Sequence, residues 1–188
     1  ANNTELTTEI LAETTTFSNW VDEKLALNSA RYGIGGYNEH RAIYSRSTHF
    51  DSDEEPRRLH LGIDIWGKAE TPIYNFYDAT VHSFKFNDNF GDYGATIILQ
   101  YQLGDLAVYA LYGHLSLASL SGLEVGQFIP AGQKFATFGI AAENGYWPPH
   151  LHFQLMFDMQ GKNGDYPGVC QFSKKENYLA NCPDPSLI

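Results

Sequence analysis

From Leu59 to about residue 157 the chain runs in short segments whose apolar residues alternate with polar ones, each closed by Gly, Asn, Asp or Pro. A period of two marks strands with distinct faces, and such frequent turn residues leave no room for long helices. The pattern predicts strands at "LHLGIDIW", "ATVHSFKF", "ATIILQYQL", "LAVYALYGHL", "KFATFGI" and "HLHFQLMF". The segment "GLEVGQFIPAGQKFATFG" adds the turn-strand-turn-strand rhythm of small β-barrels. Twelve Phe, twelve Tyr and 17 Gly suit the same class, because aromatic residues pack well on pleated surfaces and glycine punctuates them. The expected fold is one mainly β domain with a short helical N-terminal extension.

The flanks read differently. "FSNWVDEKLALNSARYGIGG" predicts a helix over about residues 19–30, capped by Ser18 or Asn19 and stopped at Gly33. Residues 37–58 are polar and carry the acidic run "FDSDEEPRR", which reads as a surface loop. The expected division is an extension over 1–58, a β core over 59–160 and a tail over 161–188 packed on that core.

Composition narrows the partners. With 43% hydrophobic and 18% charged residues in 188, a real core can form. A net charge of -10 leaves no basic stripe to displace counterions, which argues against a nucleic-acid partner. It also gives no electrostatic attraction to an anionic membrane or cell wall. No run approaches the roughly 20 apolar residues of a membrane span. The start, "ANNTELTTEI", has neither the positive nor the apolar region of a signal peptide, so the compartment stays open. A cytoplasmic protein and a processed periplasmic or extracellular form both fit. Cys170 and Cys182 read as thiols or as a staple of the tail.

The histidines carry the chemistry. In a strand, residues two and four apart share a face. Leu151, Phe153, Leu155 and Phe157 are then one apolar face of "HLHFQLMF", and His150, His152 and Gln154 project from the other. In "LHLGIDIW", Leu61, Ile63 and Ile65 pack inward, while His60, Gly62 and Asp64 share the opposite face. Gly62 leaves room there for an ion or a ligand. Side by side, the strands would offer His60, Asp64 and one of the two late histidines to a single ion, a three-ligand set that suits Zn²⁺ with an open position. The remaining late histidine, with His114 from "LYGHLS", would be free for general base catalysis and oxyanion stabilisation. His40, His49 and His82 read as solvated surface histidines.

Each motif alone is common by chance. Together, His-x-Gly-x-Asp at 60–64, "YGHLS" at 112–116 and "PHLHFQ" at 149–154 resemble the signature motifs of the lysostaphin-type (LytM-like) zinc metallopeptidases. "TPIYNFYDATV" and "GLEVGQFIPAGQKFATFG" resemble the family's connecting text, and the likeness covers about residues 59–157. The resemblance implies an antiparallel β core of barrel-sandwich-hybrid type with loops walling a groove. It implies one Zn²⁺ held by His60, Asp64 and His152, with His114 and His150 as the catalytic histidines beside a metal-activated water. It implies an endopeptidase or amidase acting on peptides, often in peptidoglycan cross-links or glycine-rich bridges. The loop "AAENGYWPPHLHF" departs from the family in being aromatic, which points to different groove walls.

Other readings weigh less. A non-hydrolytic zinc-binding regulatory module on the same scaffold would be expected to have lost ligands, and this chain keeps them all. A facial-triad Fe(II) oxygenase usually places its first two ligands two apart, whereas His60 and Asp64 are four apart. A biotinyl- or lipoyl-carrier domain would display its lysine at a tight hairpin, but Lys134 falls inside an expected strand.

Overall fold

The computed structural model describes residues 6–51 and 55–188. The first five residues of the sequence and the acidic run at 52–54 lie outside the described residues. Eleven strands follow in chain order: β1 (Gly33–Gly35), β2 (Leu59–His60), β3 (Ile63–Trp66), β4 (Pro72–Tyr74), β5 (Ala79–Asn87), β6 (Gly94–Leu103), β7 (Leu106–Leu115), β8 (Phe128–Ile129), β9 (Lys134–Thr137), β10 (His150–Met156) and β11 (Val169–Cys170). Seven of them form one antiparallel sheet in the order β1-β3-β10-β7-β6-β5-β8. The pairs β2-β11 and β4-β9 stand apart from it. The fold is mainly β and antiparallel, as expected.

The longest strands, β6 and β7, carry nearly continuous apolar runs (Ile97–Leu99 and Leu106–Tyr112), as strands buried on both faces do. β6 and β7 are joined by a two-residue turn in which Gly104 takes a φ of 62°, a conformation that costs glycine nothing. Val81, Ile97, Leu99, Val108, Ala110, Leu151, Phe153 and Leu155 share one buried cluster. The opposite face of the central strands is buried as well: Ile98, Leu111 and Met156 pack with Leu59, Leu61, Met159 and Tyr166. Each large aliphatic residue removed from water there stabilises the fold by about 1.5–3 kcal/mol before entropy is counted. The face carrying the late histidines is therefore a second interior, not an exposed face.

"LHLGIDIW" is two short strands. β2 pairs with β11, and β3 pairs with β1 and β10. The chain crosses between the two sheets at Leu61 and Gly62, so alternation does not run through them. Leu61 consequently belongs to the second cluster, while Ile63 and Ile65 pack on the first. Phe157 lies beyond the end of β10 and is 42% exposed, because its N–H bonds Asn181 of the tail instead of continuing the ladder.

The N-terminal helix begins earlier than its apolar pattern predicted. It forms as α1 (Thr8–Ala12) and α2 (Thr14–Leu27), with α3 (Lys175–Asn181) in the tail. Glu13 caps α2, its carboxylate accepting from the Thr15 and Thr16 N–H groups at 3.1 and 2.7 Å. The helix closes with Ser29 at φ 49° and with Ala30 N–H bonding the Leu25 carbonyl, so the stop precedes Gly33. Gly33 instead opens β1. Phe17 and Val21 of α2 pack in a third cluster with Tyr44, Phe50, Trp147 and Trp66. Cys170 and Cys182 are free thiols, buried in the second cluster. Among the described residues, no helix is long and apolar enough to cross a membrane.

Candidate active site

β3 and β10 are adjacent, with His152 opposite Asp64 and His150 opposite Trp66. His60 enters from the end of β2. Asp64 Oδ1 lies 3.1 Å from His152 Nδ1 and 3.3 Å from His60 Nε2, and the two ring nitrogens are 2.9 Å apart. These three residues are the candidate metal-binding group among the described residues, and all are buried.

The outward nitrogens decide which atoms face inward. A carbonyl oxygen can only accept, so the nitrogen beside it carries the proton. His60 Nδ1–H donates to the Gly36 carbonyl at 3.0 Å, leaving Nε2 as the lone-pair atom. The Gln154 amide donates from Nε2 to the Pro167 carbonyl and to Cys182 Sγ, which turns its Oε1 toward His152. His152 Nε2–H donates to that oxygen at 3.0 Å, so Nδ1 is the lone-pair atom. Two imidazole lone pairs and a carboxylate oxygen thus converge on one point. They repel one another alone and are stabilised by a cation between them.

The other two predicted residues flank this point. His150 Nδ1–H donates to the Pro148 carbonyl at 2.8 Å, and its Nε2 lies 4.0 Å from Asp64 Oδ1. His114 Nδ1–H donates to the Asn144 carbonyl at 2.7 Å. The two rings are 4.1 Å apart, and His150 stacks on Trp66. Alternation alone does not aim His114 here. Tyr112 and Leu115 both lie in the first core cluster, so the phase of β7 slips by one between them. His114 takes up the slip at a φ of 62°, a conformation that costs a non-glycine residue about 1–3 kcal/mol. His114 N–H to the Tyr93 carbonyl and Gly139 N–H to the His114 carbonyl hold it there. The bulge turns the imidazole toward His150.

Burial sets the charges. It pulls His60 down to about 4 against the pull of Asp64, and takes His150 to about 4 as well. Burial and the neighbouring His150 hold His114 well below its ordinary range. Burial would raise the Asp64 carboxyl, but His60 and Arg41 hold it well below the usual carboxylate range. His60, His114 and His150 are therefore neutral near pH 7 beside one ionised carboxylate.

Gly62 has a different task from the one expected. A Cβ there would stand 2.6 Å from the Phe153 carbonyl oxygen and 2.9 Å from the His152 ring. The space it leaves is taken by His152 and its strand, not by a ligand. Three contributors carried no signal in the sequence. Arg41 binds Asp64 Oδ2 at 2.5 Å, the Gly36 carbonyl orients His60, and the Tyr93 ring packs against both His114 and His152. All three act across long sequence separations, which no local pattern reports. Of the remaining histidines, His40 and His49 are exposed and His82 is half-buried against Tyr109. His49 reaches the rim of the cleft, and none joins the cluster.

The cleft over these groups is lined by Trp66, Trp147 and residues 165–168 of the tail. Trp147 comes from the aromatic loop that departs from the family pattern.

A sequence model of peptidase family M23 matches residues 58–165, more than half of the chain. The chain belongs to peptidase family M23. This bears out the LytM-like reading of the three motifs. The fold is shared with the catalytic domain of the antimicrobial peptidase lysostaphin from Staphylococcus simulans, at 23% identity and a TM-score of 0.52, covering 90% of this chain and 95% of that one. Weaker likenesses include a mutant of the catalytic domain of the prophage-encoded M23 protein EnpA from Enterococcus faecalis (22% identity, TM-score 0.46, 71% of this chain and 88% of that one). LytU is comparable, at 22% identity and a TM-score of 0.47 over 83% of this chain and 88% of that one. No curated protein matches the chain.

Proposed function

We propose that this M23 peptidase is a zinc-dependent endopeptidase or amidase that cleaves a peptide bond in peptidoglycan cross-links or glycine-rich peptides. The observation that carries the reading is the convergence of three lone-pair donors whose outward nitrogens are tied to oxygen acceptors. Donor separations of 2.9–3.3 Å suit a tetrahedral Zn²⁺, for which bonds of about 2.0–2.1 Å leave ligands about 3.3 Å apart. His60, Asp64 and His152 would hold the ion. Bound there, Zn²⁺ supplies Lewis acidity toward a carbonyl and eases deprotonation of water.

The remaining work falls to this chain's own side chains. His114 and His150 present unprotonated Nε2 atoms, so either can take the proton of the attacking water and return it to the leaving amine nitrogen. Because their rings are 4.1 Å apart, protonating one disfavours protonating the other, so at most one of the two takes up the proton from water. The protonated member donates a hydrogen bond to the developing oxyanion. Trp66 and Trp147 narrow the cleft, and Asp92, Asp165, Arg57 and Lys162 give it charges of both signs.

The test is incubation of the zinc-loaded protein with glycine-rich peptides and cross-linked muropeptides, with products read by mass spectrometry. Cleavage that a chelator abolishes and added Zn²⁺ restores is expected. Bound zinc with no cleavage of any member of the panel would favour a non-hydrolytic binding module.

A further inference from the structure

Residues 36–41 precede the family match at 58–165, yet they touch two of the three proposed metal ligands. The contacts form a bracket. The Gly36 carbonyl accepts from His60 Nδ1–H and also from Arg41 Nη2, at 3.0 and 2.8 Å. Arg41 Nη1 donates to Asp64 Oδ2 at 2.5 Å, and Arg41 Nε donates to Glu39 at 3.0 Å. Backbone bonds from Asn38 N–H to the His60 carbonyl, and from His60 N–H to the Glu39 carbonyl, fix the segment along β2. The Arg41 side chain is only 12% exposed and Asp64 6%, so the ion pair is largely shielded from water.

We propose that Arg41 is a positioning residue for the metal site, occupying Asp64 Oδ2 so that the carboxylate offers Oδ1 alone. The inference rests on the zinc-site reading above. A guanidinium on the outer oxygen blocks two-oxygen binding, which would raise the coordination number, and withdraws charge from the ligand. Its three partners, Asp64, Glu39 and the Gly36 carbonyl, fix the guanidinium, so the carboxylate is preorganised. Gly35 leaves the space: a Cβ there would meet Arg41 Nη2 at 2.7 Å. The residue follows no motif of the resemblance. The pairing of β1 with β3, which sets Gly35 opposite Asp64, and the backbone bonds along β2 bring its segment there.

The experiment compares Arg41→Gln, Arg41→Lys and Gly35→Ala with the wild type by Zn²⁺ competition against a chromophoric chelator. The visible spectrum of the Co²⁺-loaded protein and thermal unfolding of the metal-free form are recorded alongside. R41Q is expected to weaken Zn²⁺ affinity by about 10–100-fold and to dim the tetrahedral Co²⁺ bands as Asp64 binds through both oxygens. R41K should recover part of the affinity. G35A, which keeps the charge but displaces the guanidinium, should lose affinity with little change in metal-free stability, and it decides the matter if R41Q fails to fold. Wild-type affinity and an unchanged Co²⁺ spectrum in the folded variants would overturn the proposal while leaving the zinc site intact. Failure of the wild type itself to bind zinc would overturn both.

Discussion

Replacing His114 separates holding a metal from turning over a substrate. Its imidazole is no part of the metal-donor group, so His114→Ala should keep zinc content at the wild-type level. Turnover should fall by about 10²–10⁴-fold, the usual scale for losing a general acid–base group. Peptide hydrolysis beside metal analysis checks this, and unchanged turnover removes His114 from the mechanism. The substitution leaves the Asn144 carbonyl without its donor, at a cost of about 1–3 kcal/mol, while the Asn144 side chain keeps its bonds to Gly139 and Trp147. At this scale the grouping of His60, Asp64, His114, His150 and His152 into one cluster was legible, because motif spacing is a local signal. The aim of His114 was not. It depends on a one-residue slip in β7 and a left-handed backbone that alternation cannot encode. Arg41 was invisible for another reason, since an ion pair 23 positions apart leaves no local pattern.

At the scale of elements, the site depends on how closely β3 approaches β10. Gly62, just before β3, lies close against β10, and Gly62→Ala would press a methyl group against the Phe153 carbonyl and the His152 ring. Overpacking of this kind costs about 1–3 kcal/mol. We expect a lowered Tm together with weakened zinc binding, measured by thermal unfolding with and without Zn²⁺. A Tm and affinity equal to wild type would show that the strands relax freely. β5, β6, β7 and β10 were legible because each is a long run whose faces meet different surroundings. The break at Leu61 was not, since "LHLGID" alternates as well across a sheet crossing as within one strand. The start of α2 was misplaced for a comparable reason. Glu13 caps it, but Ser18 and Asn19 are stronger cap residues by type and drew the boundary inward.

Across the whole molecule, the cleft is assembled from segments distant in sequence. The bracket at 36–41, the strands β3, β7 and β10, the aromatic loop with Trp147 and the tail residues 165–168 meet around one buried group of donors. The family match covers residues 58–165, so part of the site's surroundings comes from outside it. Burial on both faces of the central strands explains how four buried histidines are held in fixed orientations: each has one ring nitrogen spent on an oxygen acceptor, which leaves the other as a lone-pair atom. That division of labour leaves the free lone pairs of His60 and His152 for a cation, which a metal analysis detects. The purified, zinc-reconstituted protein should carry about one zinc per chain by mass spectrometry, and both His60→Ala and His152→Ala should lose it. A wild type that takes up no zinc, or variants that retain it in full, would show that His60 and His152 hold no zinc.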